Sequence, residues 1–124
     1  MAEWLTSSVA TAEIRDGLLV YSYKDGAVIE EADARSTIAL GAKLAANGPL
    51  PTLVLMSRVR RVAGAAREVF TSAENEQISR QVALVVWSPL SRVIGNFFLG
   101  LNKPKFPTRL FTAESAALEW LRQT

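Results

Sequence analysis

Two short, unbroken apolar runs constrain this chain more than any other feature: Thr52 to Met56, TLVLM, and Val82 to Trp87, VALVVW. A strand with one face in water alternates apolar and polar side chains. A run that is apolar at every position instead suits a strand covered on both faces, as in a parallel sheet flanked by helices. The two runs are therefore expected to be parallel neighbours at the centre of one sheet. Between them Ala66, Val69, Phe70 and Ala73 repeat at helical spacing over about Gly64 to Ser72, and the exit SAENEQISR reads as a polar surface turn.

The rest of the chain supplies matching elements. Residues 1–10 read as irregular, with Trp4, Leu5 and Val9 free to lie over the core. Thr11 to Arg15 and Leu18 to Lys24 read as strands joined at Asp16-Gly17, a two-residue hairpin signal. In the second strand Leu19, Tyr21 and Tyr23 share one face and Leu18, Val20 and Ser22 the other, and Asp25-Gly26 turns the chain again. From Glu30 to Ala46 the pattern is helical, with Ala34, Ile38, Ala42 and Ala45 on one stripe, Leu40 and Leu44 beside it, and Asn47-Gly48-Pro49 as its stop. The small side chains of that stripe imply close approach to whatever it packs on.

A further helix is expected from Ser88, with Leu90, Val93, Ile94, Phe97, Phe98 and Leu101 on one broad face, Pro89 at its first position and Gly100, Asn102 and Pro104 at its end. Thr108 to Phe111 follows as an edge strand, and Thr112 caps a last helix that turns Ala117, Leu118, Trp120 and Leu121 inward. The order β-β-α-β-α-β-α-β-α implies one α/β domain with an opening hairpin and a mostly parallel five-stranded sheet.

On the segments SPLSRVIGNFFLGLNKP and PTRLFTAESAALEWL, the chain resembles a family of small uncharacterised bacterial STAS-like (SpoIIAA-like) proteins, over roughly residues 11 to 122. That resemblance implies the anti-sigma factor antagonist fold and regulation through a protein partner. Better understood STAS proteins carry a phosphorylated serine or threonine at the start of the second helix, in a sequence like D-S-S-G. Here Ala63-Gly64-Ala65-Ala66 stands at that place, so the fold carries over and the phospho-switch does not. Ser57 lies on the strand side of the loop.

Composition removes whole classes of function. With no cysteine and no histidine, the chain has no disulfide, no thiolate nucleophile, no zinc site of the usual ligands and no histidine acid–base chemistry. No Walker or dinucleotide motif appears, so no cofactor is expected. No run approaches the roughly 18 apolar residues of a membrane span, and the first residues lack the pattern of a secretory signal, so a cytoplasmic protein is expected. The net charge of +2 does not argue for nucleic acid, but it is unevenly placed: residues 1–50 sum to −3 and residues 51–124 to +5.

Three surfaces are candidates. Arg58, Arg60, Arg61 and Arg67 follow a parallel strand and precede or enter a helix, where open α/β sheets commonly bind ligands, so they could hold an anion, or else solvate a loop and pair with Glu68, Glu74 or Glu76. Glu30, Glu31 and Asp33 could form an acid–base pair, but a helix start favours carboxylates through its dipole alone. On the expected helix after Ser88, the ridge Ser91, Gly95 and Leu99, flanked by Arg92 and Asn96, lies off the apolar stripe. A glycine there costs about 1 kcal/mol against alanine, which suits a close contact with a second copy or another protein. The expected function is thus a non-enzymatic regulatory or protein-interaction domain, plausibly self-associating. The alternative is a module that binds a small anionic ligand or lipid head group at the arginines, with an enzyme third.

Overall fold

The computed structural model describes residues 4–6, 9–87, 89, 92 and 105–123, with backbone only for 4–6. Its strands are β1 (Trp4–Thr6), β2 (Ala10–Arg15), β3 (Leu18–Tyr23), β4 (Val28–Ile29), β5 (Leu50–Leu55), β6 (Arg61–Val62), β7 (Ser79–Val85) and β8 (Thr108–Phe111). Its helices are α1 (Glu31–Leu44), α2 (Gly64–Phe70), α3 (Ala73–Glu76) and α4 (Glu114–Arg122). The main sheet runs β1-β2-β3-β5-β7-β8.

The two apolar runs sit where their composition requires. β5 pairs in parallel with β3 on one side and β7 on the other, and β7 pairs in parallel with β8. Leu53, Ala83 and Val85 have no exposed surface. Pro51, which cannot donate to the ladder, sits where the register of β5 against β7 shifts, one of the few places a central strand accommodates proline. Deeper still, Thr52 Oγ1 and Ser79 Oγ share a 2.7 Å hydrogen bond that satisfies two buried hydroxyls across the strands.

Opposite sheet faces carry separate cores. On one, Leu19, Tyr21, Tyr23, Val54, Val82 and Leu84 meet Ala34 and Ile38 of α1 and Ala66 and Val69 of α2. On the other, Leu18, Val20, Leu53, Ala83 and Val85 meet Ala117 and Leu121 of α4, with Phe111 and Trp120 rings 5.7 Å apart at its margin. The alternation read in β3 is therefore real: its two rows of side chains serve two layers. Asp16 and Gly17 both take positive φ, 51° and 80°, as the tight hairpin between β2 and β3 demands.

Several expectations are corrected. The sheet has six strands rather than five, because Trp4–Thr6 pairs antiparallel with β2 instead of being irregular. A separate two-stranded ribbon, β4 with β6, was not foreseen. Ala42 is exposed, and the buried stripe of α1 is Ala34, Thr37, Ile38 and Gly41. Ala73 is exposed and opens α3 rather than closing α2. Trp87 lies past the end of β7 and is 52% exposed. Finally, the cap of α4 is Ala113, one residue after Thr112. The expected helix face from Leu90 to Leu101 lies outside the described residues, as do Ser91, Gly95, Asn96 and Leu99; Pro89 and Arg92 are helical and exposed.

Candidate functional site

The arginine-rich loop leaves the end of β5, where the parallel strands finish, and is stitched to the segment that leaves β3. Gly26 N–H donates to Arg58 O at 2.7 Å, Arg60 N–H to Ala27 O at 2.8 Å and Ala63 N–H to Ile29 O at 2.9 Å. Ser57 Oγ reaches Asp25 Oδ1 at 3.3 Å. Within the loop Val59 and Val62 are buried, which leaves Arg58, Arg60 and Arg61 to face outward. The valines thus anchor a hydrogen-bonded loop and ribbon on which three arginines are exposed.

Their surroundings differ. Arg61 is held by Glu30, Nη1 to Oε1 at 3.1 Å, across the ribbon. The expected partners Glu68, Glu74 and Glu76 do not take that role for Arg61. Arg67 is half-buried in α2, and one of its guanidinium nitrogens lies 3.5 Å from where a Cβ on Gly64 would stand. Arg58 and Arg60 are therefore exposed on the loop that runs into β6, Arg61 is exposed on β6 itself, and Arg67 belongs to α2.

The carboxylates at the start of α1 have structural tasks. Glu30 pairs with Arg61, Glu31 with Arg35 at 2.9 Å, and Asp33 Oδ2 accepts the Glu30 backbone N–H at 2.9 Å, closing the first turn. Among the described residues, no group of three carboxylates gathers as a metal site.

A second feature lies between the sheet and α1 to α3. A cavity lined by Tyr21, Ile38, Val54, Met56, Asn75 and Leu84, among others, is bordered by the half-buried Phe70, Phe106 and Thr108. Burial pushes the phenols of Tyr21 and Tyr23 far above the ordinary tyrosine range, so both stay neutral. The Tyr23 hydroxyl bonds with the Thr37 side chain. Sequence reading took Tyr21 as plain core and placed Asn75 on a surface turn; Asn75 is in fact buried, Nδ2 donating to Phe70 O at 2.8 Å. Its polar neighbours gave no periodic signal of that burial.

The fold as a whole is found elsewhere. The chain belongs to the family described as a domain of unknown function, DUF7793, which it matches over residues 12–124. No curated protein sequence matches it. Its structure is similar to an anti-sigma factor antagonist from Mycobacterium paratuberculosis, with a TM-score of 0.65 and 21% identity over 96% of this chain and 100% of that one. It is also similar to an uncharacterised DUF3478-family protein with a SpoIIAA-like fold from Shewanella loihica PV-4, with a TM-score of 0.58 and 14% identity over 98% of this chain and 92% of that one. A protein of unknown function from Arthrobacter sp. FB24 is 36% identical over 91% of this chain and 99% of its own, with a TM-score of 0.36 that leaves it outside the comparison of folds. These likenesses show that the chain has a SpoIIAA-like α/β fold.

Proposed function

We propose that this STAS-like domain is a cytoplasmic regulator that acts without catalysis, by docking a protein partner through the exposed arginines at the β4–β6 ribbon. The observation that carries this reading is the exposure of Arg58, Arg60 and Arg61 on a backbone fixed by hydrogen bonds and by buried Val59 and Val62. Guanidinium groups carried on a fixed backbone suit acidic side chains on another protein, because each fork can pair bidentately with a carboxylate and no backbone ordering is needed on binding. The likeness to an anti-sigma factor antagonist supports a protein partner. Ala63, Gly64 and Ala65 offer no hydroxyl for a phosphate at the start of α2, so regulation by phosphorylation there is not part of the proposal.

The competing reading uses Arg58, Arg60, Arg61 and Arg67 to hold a small anion or lipid head group. Purifying the tagged chain from its native cells, with mass spectrometry of bound proteins and bound small molecules, separates the two. The expected result is a stoichiometric protein partner. An anionic metabolite or lipid recovered without a protein would replace the first reading by the second.

Self-association is proposed through Ser91, Gly95 and Leu99, flanked by Arg92 and Asn96, which the sequence expects on one side of a helix. Light scattering at micromolar concentration is expected to give a dimer for the parent and a shift toward monomer for Gly95→Leu, since a large side chain blocks close approach while raising helix propensity. A monomeric parent, or an unchanged dimer in the variant, would remove this surface.

A further inference from the structure

Trp87 closes the second apolar run of the sequence, yet it lies in water where every residue before it in that run is buried. Val86 is 1% exposed and Trp87 52%, and among the described residues no other large apolar side chain is as open. An indole offers about 150–250 Å² for burial, so roughly half of that area is left for something to cover. A lone exposed apolar residue is ordinary on a protein surface, and its place in the fold is what gives this one meaning. β5 and β7 are parallel neighbours, and Met56 N–H donates to Val85 O at 3.0 Å where both strands finish. Arg58 stands two residues beyond Met56, and Trp87 two residues beyond Val85. With about 3.8 Å between successive Cα atoms and about 4.8 Å between strands, the Cα atoms of Arg58 and Trp87 are no more than about 20 Å apart at this end of the sheet. A protein–protein interface covers about 800 Å² on each partner, a patch about 30 Å across, so one partner can cover both.

The charges around the arginines point to the kind of partner. Among the described residues, Arg58 and Arg60 make no ion pair, whereas Arg61 is held by Glu30. Asp25, which accepts from Ser57 Oγ at 3.3 Å, and Glu30 both stand exposed on the segment hydrogen-bonded to this loop, so the net positive charge is small. An anionic bilayer rewards net positive charge near its surface, which this mixed surface lacks. Carboxylates on a protein are placed one by one, and each can pair with Arg58 or Arg60 while keeping clear of Asp25 and Glu30. Arginine and tryptophan are also the residues that most often carry the energy of such interfaces, the first through charge-assisted hydrogen bonds and the second through apolar area removed from water.

Resting on the docking reading, we propose that Trp87, Arg58 and Arg60 form one surface for an acidic amphipathic segment of a partner protein, its apolar side chains covering the indole and its carboxylates pairing with the guanidinium groups. The probes are two synthetic helical peptides with the same glutamates, one with leucines along one side and one with glutamines in their place. Titration calorimetry with the full chain is expected to show saturable binding of the leucine peptide and about tenfold weaker binding of the glutamine peptide. Trp87→Ala should weaken the leucine peptide about tenfold and leave the glutamine peptide unchanged, and Trp87→Phe, which keeps an apolar ring, should lose less. Arg58→Glu/Arg60→Glu should weaken both peptides. Failure to bind the leucine peptide, or an affinity for it unchanged in Trp87→Ala, would overturn the joint surface; in the second case a loss in Arg58→Glu/Arg60→Glu still upholds the docking reading. Affinity unchanged in Arg58→Glu/Arg60→Glu would overturn the docking reading and the joint surface together. Vesicles of phosphatidylcholine with phosphatidylserine are the competing surface: binding to them that Trp87→Ala abolishes, without binding of the leucine peptide, would make Trp87 a membrane anchor and overturn the assignment of a protein partner.

Discussion

Gly41→Ala should destabilise the fold by about 2 kcal/mol, although it replaces a poor helix former with the best one. A Cβ at this position would stand 1.8 Å from the Tyr21 hydroxyl, 3.0 Å from its Cζ and 3.1 Å from Ile78 Cγ2. Removing glycine from a helix interior gains about 1 kcal/mol. Overpacking a well-packed interior costs about 1–3 kcal/mol, occasionally more, and a 1.8 Å approach to the end of a buried aromatic ring belongs at the upper end. Steric cost therefore wins. Tyr21→Phe removes the nearest atom and an unsatisfied hydroxyl together, so alone it should be neutral or slightly stabilising. Combined with Gly41→Ala it should recover more than half of the loss, the remaining 3.0 Å and 3.1 Å contacts requiring shifts of only tenths of an ångström. Urea unfolding of the parent, both single variants and the double variant measures this coupling. A Gly41→Ala protein as stable as the parent, or a double variant no better than Gly41→Ala, would contradict this account of how α1 seats on the sheet.

That contact also shows where the sequence was readable and where it was not. Continuous apolar runs located β5 and β7, and the alternation in β3 located both core layers, because a side chain's face follows directly from its position along a strand. Close approach of the first helix was legible in its small residues. Its exact line was not: Ala34, Ile38 and Ala45 of the expected stripe are buried, whereas Ala42 is exposed and Gly41 takes its place against the sheet. The drift follows from tertiary fit, since Tyr21 must pass beneath the helix and only a residue without Cβ admits it.

The candidate sites were legible to different degrees. Arginine density pointed to Arg58, Arg60, Arg61 and Arg67, but the anchoring of that loop depends on the segment around β4, a strand of two residues too short for any periodic pattern to announce. The pair Glu30 and Arg61, separated by 31 positions, arises from that ribbon and has no local signal. Asn75 was missed for a related reason. It sits on a four-residue helix amid polar neighbours, and what buries it is the sheet beyond.

Charge reversal at the ribbon tests the docking proposal most directly. Arg58 and Arg60 are both exposed and carry their charge on a backbone anchored by Val59, so Arg58→Glu/Arg60→Glu should leave folding intact. Arg61 is left untouched because its loss would free Glu30. Reversing an interfacial charge removes an attraction and introduces a repulsion, and pairs in close charge contacts are coupled by about 1.5–7 kcal/mol. Each single change is expected to weaken the captured partner about tenfold and the double change about a hundredfold, or about 3 kcal/mol. Arg80→Glu serves as the control, since Arg80 is exposed near the start of β7, at the opposite end of the parallel strands. The decisive measurement is titration calorimetry of that partner with the parent, Arg58→Glu/Arg60→Glu and Arg80→Glu: the account requires the hundredfold loss in the double variant and less than threefold in the control, while equal affinity for all three proteins would show that the partner docks elsewhere.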